Sequence, residues 1–410
     1  MERREPVWIT GVGAATPIGI GYEEIAGSLL AGRSGVGPIR HFEPVDQPCL
    51  IAAPLGAIPC PAGWPTADFE RLGGWEQLLL SSAVQALQDS GWWEKRGDVR
   101  MGLLLGIGAE WLVNWECRSC ARPIEEPTRP PDPNQDQKSL ARDLADRLGI
   151  TGPVSTVAAA CASGNFAIAQ ARRWVERGLV DICLAGACDR PLTPMGMAGF
   201  GNLGALSKRN EAPHAASRPF DRARDGFVMG EAGAIFVLER AGRARKRGAR
   251  VYGQISGFGA SSDAYHMVIP STDPAPCVRA LRAALRDGGL SPEEIDYVNA
   301  HATSTPVGDP GEVRVLREVF GASLLTVPVS STKSMTGHLL SATAAVEAIA
   351  CLVAIERGAI PPTINLDDPD PECELLHVAH QPMERRVDIA MSNSFGFGGS
   401  NTCLIVQRVA

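Results

Sequence analysis

A motif that occurs twice constrains the fold of this chain more than any other feature. In the first half, VST is followed by Cys161 and by a helical pattern that ends in Glu-Arg-Gly at 176–178. In the second half, VSST is followed by His338 and by a helical pattern that ends in Glu-Arg-Gly at 356–358. Two halves of similar plan would place Cys161 and His338 at equivalent helix N-termini, facing one another across a pseudo-twofold axis. The alternative is a chance match.

Buried strands alternate with helical patterns along most of the chain. Continuous apolar runs, such as those at 6–13, 101–108 and 181–189, are typical of strands that are covered on both faces. Their alternation with helices indicates layers of α/β structure with parallel strands. A chain of 410 residues is too long for one ordinary core, so we expect two halves, 1–250 and 251–410.

The composition excludes several classes of protein. A net charge of −7 without a long basic run argues against a nucleic-acid partner. We found no apolar stretch of about 18 residues and no signal-peptide pattern, so we expect no membrane span. The 11 cysteines are odd in number and irregularly spaced, which suits free thiols in a reducing cytoplasm.

Cys161 lies where a run of small residues turns into a helix. The stretch VAAACASGN at 157–165 precedes apolar residues at helical spacing up to about residue 178. A helix N-terminus offers unpaired N–H groups and partial positive charge, both of which stabilise a thiolate. Cys161 is therefore a candidate nucleophile, although a small buried hydrophobe is the alternative.

Polar clusters in the second half provide partners for this thiol. They occupy 299–312, 331–338 and 392–401, and the first two contain His301 and His338. Two neutral imidazoles that donate hydrogen bonds suit a reaction that creates an enolate on a thioester oxygen. A single histidine would more often be structural.

Taken together, these blocks resemble a known family. AAACASG, SSDAYHM, NAHATSTPVGD, STKSMTGH and NSFGFGGSN occur in the order found in β-ketoacyl-acyl-carrier-protein synthases of the elongating type. The chain is more similar to synthase II and to type II polyketide ketosynthases than to synthase I. The resemblance implies a thiolase fold, five αβαβα layers made of two similar halves, and a homodimer. The first half would carry the nucleophile and the cap and dimer insertions, and the second half the two histidines.

The resemblance also implies the catalytic roles. Cys161 would take an acyl chain from a carrier-protein thioester, while His301 and His338 would promote decarboxylation of malonyl-carrier protein. The attack of the resulting carbanion on the acyl-cysteine would give a β-ketoacyl product. Backbone N–H groups of Cys161 and Phe397 would form the oxyanion hole. Lys333 would form a charged pair with Glu312 that orders the His338 loop.

Further residues carry binding roles by the same resemblance. Thr303 and Thr305 would hold the phosphopantetheine arm, and Phe395 with Phe397 would gate the acyl tunnel. His266 and Trp111 would lie near that tunnel. No cofactor is required, because the phosphopantetheine arrives on the carrier protein. A monovalent cation is expected at positions that hold one in some relatives, namely Asn299, Glu347, Ser392 and Asn393.

The chain departs from the family at its surface and near the tunnel. The expected basic carrier-docking helix reads ADFERLGG, with Arg71 as its one cation, so Arg118, Arg122 and Arg129 are candidate substitutes. Glu110, Trp111 and Trp115 stand where relatives keep small or aliphatic residues, and 116–137 replaces a regular helical stretch. We expect a shorter or more polar acyl substrate, or a dedicated partner.

Two other functions remain open on the sequence. A chain-length-factor-like subunit of a ketosynthase heterodimer would be non-catalytic, but such subunits lose the nucleophile that Cys161 represents. A thiolase-like acyltransferase would act on coenzyme A without decarboxylation. Thiolases pair the nucleophile with a second cysteine and one histidine, whereas this chain has His301 at the corresponding strand end.

Overall fold

A computed structural model describes residues 5–44, 46–110, 112–113, 116 and 139–409. Within these ranges, no helix is both long enough and apolar enough to cross a membrane. Trp111 and Trp115 lie outside the described residues, as do the arginines of the 117–137 segment.

The first half-sheet has five strands in the order β6-β5-β7-β8-β1. Strands β6, β5 and β7 are parallel neighbours, whereas β8 is antiparallel to both β7 and β1. Their bounds are β1 Val7–Thr16, β5 Met101–Gly106, β6 Val154–Val157, β7 Ile182–Asp189 and β8 Ala232–Arg240.

The second half-sheet repeats this plan in the order β11-β10-β15-β16-β9, with the same pattern of directions. Its bounds are β9 Gly253–Ser262, β10 Tyr297–Asn299, β11 Pro328–Ser330, β15 Ile389–Gly396 and β16 Ser400–Gln407. In each half the strand order by sequence is third-second-fourth-fifth-first. The expected pair of similar halves is therefore confirmed, and a short antiparallel pairing of β1 with β9 joins them.

Six short strands complete the set in the described residues. Strand β13 adds to the outer edge of β11, and β2 pairs with β1. The others form two small ladders, β3 with β4 and β12 with β14. Their bounds are β2 Gly19–Ile20, β3 Gly37–Pro38, β4 Ile51–Ala52, β12 Ala359–Ile360, β13 Leu376–His377 and β14 Met383–Glu384.

The helices form the remaining layers. Those of the first half are α1 Tyr22–Leu30, α2 Thr66–Glu70, α3 Gly74–Asp89, α4 Leu140–Leu148, α5 Ser163–Glu176, α6 Pro194–Asn202 and α7 Ala241–Lys246. Those of the second half are α8 Ala275–Gly288, α9 Gly308–Phe320, α10 Lys333–Thr336 and α11 Thr343–Arg357.

Burial explains the order of the layers. Helix α11 is buried from residue 343 to residue 355, as expected for an apolar helix that packs on all sides. It packs against α5 between the two half-sheets. Helices α3 and α4 cover the outer face of the first half-sheet, and α8 and α9 cover that of the second. The expected five-layered αβαβα thiolase fold is confirmed.

Helix α6 is an element that the sequence reasoning left as part of a long loop. Thr193 caps it by accepting a hydrogen bond from Gly196 N at 3.1 Å, and Pro194 stands in its first turn. A Thr-Pro pair is a known start signal. The three glycines within the helix, at 196, 199 and 201, hide the helical period.

Candidate active site

Cys161 lies on a tight turn between β6 and α5. Ala160, the residue before it, has a φ of 48°, which places a residue with a Cβ in the left-handed region. Ser163 stabilises the turn, because its Oγ accepts from Ala159 N at 2.9 Å and donates to Ala160 O at 2.7 Å. Gly396 packs against this turn, and a Cβ there would lie 2.8 Å from Ala159 O. Local strain of this kind is often found at functional sites.

Burial and the neighbouring polar groups shift the pKa of the Cys161 thiol in opposite directions. Burial raises the pKa of Cys161 to about 11. The backbone N–H of Phe397, the charge of Lys333 and the backbone N–H of Cys161 all act to lower it. Burial outweighs the helix N-terminus, so the resting group is a thiol. The two backbone donors predicted for the oxyanion hole both face Sγ.

His338 faces the thiol directly. Its Nε2 lies 3.0 Å from Cys161 Sγ, so the prediction that the two residues meet across the halves is confirmed. Leu340 N donates to His338 Nδ1 at 3.2 Å, which requires a lone pair on Nδ1. The proton of the neutral ring therefore sits on Nε2, and His338 is a hydrogen-bond donor toward Sγ and the space beside it.

His301 completes a cluster of three around the same space. Its ring centroid is 5.6 Å from that of His338, and one ligand atom from each of the three side chains lies within 4.8 Å of the others. His301 Nδ1 is buried without a hydrogen-bond partner, so Nε2 is the ring nitrogen open to the cavity. Glu312 holds the loop, because its carboxylate accepts from His301 N at 2.9 Å and Ala302 N at 2.7 Å.

Both histidines are neutral. Burial, together with the positive charge of Lys333, lowers the pKa of each well below its ordinary value. A neutral imidazole can donate a hydrogen bond to a developing enolate without first losing a proton. This pair therefore matches the chemistry inferred from the sequence.

The predicted charged pair of Lys333 with Glu312 is wrong. Lys333 Nζ instead pairs with Glu347 Oε1, and both side chains are buried. Glu312 is held by backbone N–H groups and by Asn393 Nδ2 at 3.0 Å. The fold places the ammonium of Lys333 on α10 beside Glu347 on α11, whereas Glu312 on α9 faces the backbone of the His301 loop. Lys333 affects Glu312 at longer range, where its charge acts to lower a pKa that burial raises.

A cavity of about 740 Å³ leads to the three catalytic candidates. Cys161, His301 and His338 line its inner part. The other predicted binding residues that line it are Thr303, Thr305, Phe395, Phe397 and His266. His266 is exposed and accepts from Val268 N and Ile269 N at 3.0 Å each, so it shapes the mouth.

Glu110 does not line the cavity. Its carboxylate accepts a hydrogen bond from Leu140 N at the start of α4, and burial raises its pKa. The neighbouring Ala109 and Leu112 line the inner wall instead. The inner wall is therefore apolar at these two positions. Trp111 and Trp115, the other residues predicted for this region, lie outside the described residues.

The four residues predicted for a monovalent cation share an unusual feature. Each carries a buried oxygen that has no hydrogen-bond partner: Asn299 Oδ1, Glu347 Oε2, Ser392 Oγ and Asn393 Oδ1. Asn299 and Ser392 are paired residues of β10 and β15. Buried polar atoms are normally satisfied, and a hard cation prefers oxygen ligands. The residues present therefore fit a cation.

The catalytic cluster itself is a less suitable metal site. Cys161, His301 and His338 are close enough to share an ion. A metal at His338 Nε2 would need a lone pair there, which the hydrogen bond from Leu340 N to Nδ1 opposes. The geometry favours proton donation at this position.

Two aromatic residues at the site escaped the sequence reasoning. Phe200 of α6 stacks on Phe397 at 6.3 Å between ring centroids, and Phe227 meets His338 edge-on at 5.1 Å. Both also line the cavity. They occur in the glycine-rich stretch GFGNLGAL at 199–206 and in ARDGFVMG at 223–230, where no local pattern separates them from ordinary core residues.

The duplicated fold, the cysteine at a helix start and the two neutral histidines define a condensing enzyme of the thiolase fold. Residues 4–244 match the family described as Beta-ketoacyl synthase, N-terminal domain, and residues 252–367 match Beta-ketoacyl synthase, C-terminal domain. The chain belongs to the β-ketoacyl synthase family.

Proteins that are similar to this chain match it over its full length. The 3-oxoacyl-[acyl-carrier-protein] synthase 2 of Vibrio cholerae is 39% identical over 416 residues, which cover 100% of both chains. A solved ketosynthase bound to a hexaketide, in complex with its type II PKS acyl-carrier protein, superposes with a TM-score of 0.88 at 30% identity and 100% coverage of both chains. The ishigamide ketosynthase/chain length factor gives 0.84 at 31% identity, again over 100% of both chains.

Proposed function

We propose that this protein catalyses the decarboxylative condensation of an acyl thioester with malonyl-acyl-carrier protein, giving a β-ketoacyl-acyl-carrier protein. The observation that carries the proposal is the pair of neutral histidines beside Cys161, with His338 Nε2 at 3.0 Å from Sγ. A hydrolase would need a base at this position rather than two donors.

The first half-reaction transfers the acyl chain. Cys161 Sγ attacks the thioester carbonyl, and the carrier thiol leaves with the proton that the cysteine loses. The backbone N–H groups of Cys161 and Phe397 receive the negative charge on the carbonyl oxygen. Each such donor contributes roughly 3 kcal/mol to lowering the barrier. The resting thiol and the acylated cysteine are both uncharged, so neither pays the desolvation cost of a buried charge.

The second half-reaction forms the carbon–carbon bond. The bond to the malonyl carboxylate breaks, carbon dioxide leaves, and its electron pair forms an enolate on the thioester. Hydrogen bonds from the two imidazoles stabilise the enolate oxygen. The enolate carbon attacks the acyl-cysteine, and collapse of the tetrahedral intermediate breaks the carbon–sulfur bond and releases the β-ketoacyl product. The Cys161 thiolate then takes up one proton from solvent and returns to the thiol.

The donor substrates are carried by an acyl carrier protein. The phosphopantetheine arm enters the cavity past Thr303 and Thr305, and no further cofactor takes part in the reaction. Docking by helix α2 is weak, because exposed Arg71 is shared with Asp68 at 3.7 Å. We place the reaction in the cytoplasm, in fatty-acid or specialised polyketide synthesis.

The acting unit is a homodimer. Strand β6 forms the edge of the long sheet, and Ser155 and Thr156 on it are exposed. An unpaired edge of this kind is a ready template for a second strand. A heterodimer with a chain-length-factor subunit would use the same edge.

A structural monovalent cation stabilises the core behind His301. The four unpartnered oxygens of Asn299, Glu347, Ser392 and Asn393 would hold it. Its positive charge would offset the burial of Glu347, whose pKa is raised to about 7 by desolvation. No step of the reaction passes through this ion.

The test follows acylation of Cys161 by intact-protein mass. With acyl-carrier and malonyl-carrier proteins as substrates, we expect Cys161 to gain the acyl mass and the β-ketoacyl product to appear. A preparation that reacts with iodoacetamide but accepts no acyl donor would exclude the catalytic function. The variant Cys161→Gln is expected to keep malonyl decarboxylation and to lose condensation, because its amide resembles an acylated cysteine.

A further inference from the structure

The mouth of the catalytic cavity has one cation that nothing in the described chain neutralises. Arg314 on α9 is the one lysine or arginine among the described residues that line the cavity. Its side chain is exposed, and it makes no ion pair and no hydrogen bond with any described residue. By contrast, Arg218 and Arg224 are paired with nearby aspartates.

The acidic side chains in the same wall are already engaged. Each accepts a hydrogen bond from the chain itself: Asp189 from Ser341 N at 3.1 Å, Asp225 from Ser207 Oγ at 2.6 Å, Asp263 from Asn401 Nδ2 at 2.6 Å and Asp273 from Ala275 N at 2.9 Å. These contacts hold loops in place. Arg314 is therefore the cationic hydrogen-bond donor of the lining that has no partner among the described residues.

Arg314 also lies on the helix that organises the inner site. Two residues before it, Glu312 fixes the backbone of His301. Gly308 and Gly311, in the first turns of α9, line the cavity together with Thr303 and Thr305. The guanidinium therefore stands on the wall along which the phosphopantetheine arm would enter, toward solvent from the catalytic residues.

We propose that Arg314 binds the phosphate of the phosphopantetheine arm and so selects phosphorylated thioester donors over non-phosphorylated ones. This inference rests on the proposed function, since it concerns the donor of the same reaction. A guanidinium matches a phosphate by two parallel charge-assisted hydrogen bonds. The phosphate can belong to a carrier protein or to coenzyme A, because both present the same arm.

The test compares two donors that differ in one phosphate, acyl-pantetheine and acyl-4′-phosphopantetheine. The measured quantity is the second-order rate of Cys161 acylation, followed by intact mass. We expect the wild type to prefer the phosphorylated donor by roughly tenfold, the size of one solvent-exposed charge-assisted contact. Arg314→Gln should slow acylation by the phosphorylated donor alone and bring the ratio of the two rates close to one. Arg314→Lys should restore part of the preference for the phosphorylated donor.

Arg317 provides the matched control. It lies one turn further along α9, is exposed, and does not line the cavity. Arg317→Gln should keep the wild-type ratio. An unchanged ratio in Arg314→Gln, or an equal loss with both donors, would overturn the proposal. Acyl-carrier protein and acyl-coenzyme A are then compared in the same variant, and a loss with only one of them identifies the source of the phosphate.

A second measurement does not depend on catalysis. The S-methyl ethers of 4′-phosphopantetheine and pantetheine are tested as protectants of Cys161 against iodoacetamide. We expect the phosphorylated ether to protect at roughly tenfold lower concentration in the wild type, and the difference to vanish in Arg314→Gln. Equal protection by both ethers in the wild type would contradict the role of Arg314. If the phosphorylated ether protects Cys161 better but no donor acylates it, only the proposed function is contradicted.

Discussion

Strands β6 and β11, each the third strand of its half in sequence order, occupy the same place in the two half-sheets but differ in exposure. Strand β11 is buried along its length, because β13 pairs with its outer edge. Strand β6 has no such cover among the described residues, and its central Ser155 and Thr156 are exposed. The second half closes its sheet within the chain, whereas the first half leaves an edge for another chain.

The two strand-to-helix junctions differ in a similar way. Ala160 and Leu340 each lie three residues before a central helix, and each has a φ of 48°. By this register the counterpart of Cys161 is Ser341, not His338, so the helices are equivalent but the two catalytic side chains are not. The two halves therefore share a backbone fold, but the first half supplies the nucleophile and the second half supplies the hydrogen-bond donors.

Each junction also packs against the opposite half. Ser394 Oγ, near the end of β15, donates to Cys161 O at 2.9 Å. Ser341 Oγ donates to Cys188 O, near the end of β7, at 3.0 Å. The reciprocal contacts explain why Sγ and the imidazole meet at the seam, and why neither half alone could form the site.

The largest effect on activity should come from removing the imidazole of His338, the hydrogen-bond donor that lies between the two halves. His338→Ala is expected to lower kcat for condensation by about 10²- to 10³-fold, because one stabilising donor is lost from the enolate. The matched variant is Ser341→Ala, at the register position of Cys161, which loses one hydrogen bond between the halves but no donor to the enolate and should therefore lower kcat far less. A steady-state assay with malonyl-carrier protein measures both. Equal losses in the two variants would contradict the assignment of function to one junction only.

The second prediction concerns the buried ion pair behind His338. Lys333→Met should lower the free energy of unfolding by about 3–5 kcal/mol, because Glu347 is left buried without its partner. Denaturant unfolding measures this loss. Double-mutant cycles of Lys333→Met with Glu347→Gln and with Glu312→Gln then compare the two acids. Stronger coupling to Glu312 would contradict the pairing seen in the structure.

The exposed edge gives a prediction about assembly. Pro153 O accepts from Leu103 N of β5, and Val157 O accepts from Ile107 N just after β5. Because backbone groups of successive residues point to opposite sides of a strand, the N–H of Thr156 points outward. Thr156→Pro should remove this donor and shift the protein from twice the 43.4 kDa chain mass toward the monomer. Thr156→Val keeps the N–H and should remain dimeric. Light scattering after size exclusion measures the mass, and a dimeric proline variant would show that the edge is not the interface.

The smallest expected effect concerns the monovalent cation proposed for the second half. Exchanging sodium or potassium for a bulky organic cation should lower Tm by about 2 °C, because four buried oxygens lose a ligand. Ser392→Ala removes one of these oxygens and should reduce the dependence on the cation. Thermal unfolding measures the shift. A variant with the full wild-type dependence would place the ion elsewhere.

Local signals allowed much of the fold to be predicted. The apolar runs predicted β1, β5 and β7 close to their observed bounds, and the helical periods predicted the ends of α5 and α11. These elements satisfy their backbone hydrogen bonds through short-range or sheet pairing. Helix α6 was missed because its glycines remove the period on which the prediction depends. The motifs around Cys161, His301 and His338 also identified the reacting groups before the structure placed them together.

The amino-acid sequence by itself thus determined the duplicated plan and the chemical identity of the nucleophile and its two histidines. The tertiary structure alone decided which nitrogen of His338 holds the proton, which acid pairs with Lys333, and which aromatic rings surround the site. It also decided that burial, rather than the helix N-terminus, sets the pKa of Cys161. The reason is physical: propensity and pattern act over a few residues, whereas burial and charge pairing depend on groups far apart in the chain.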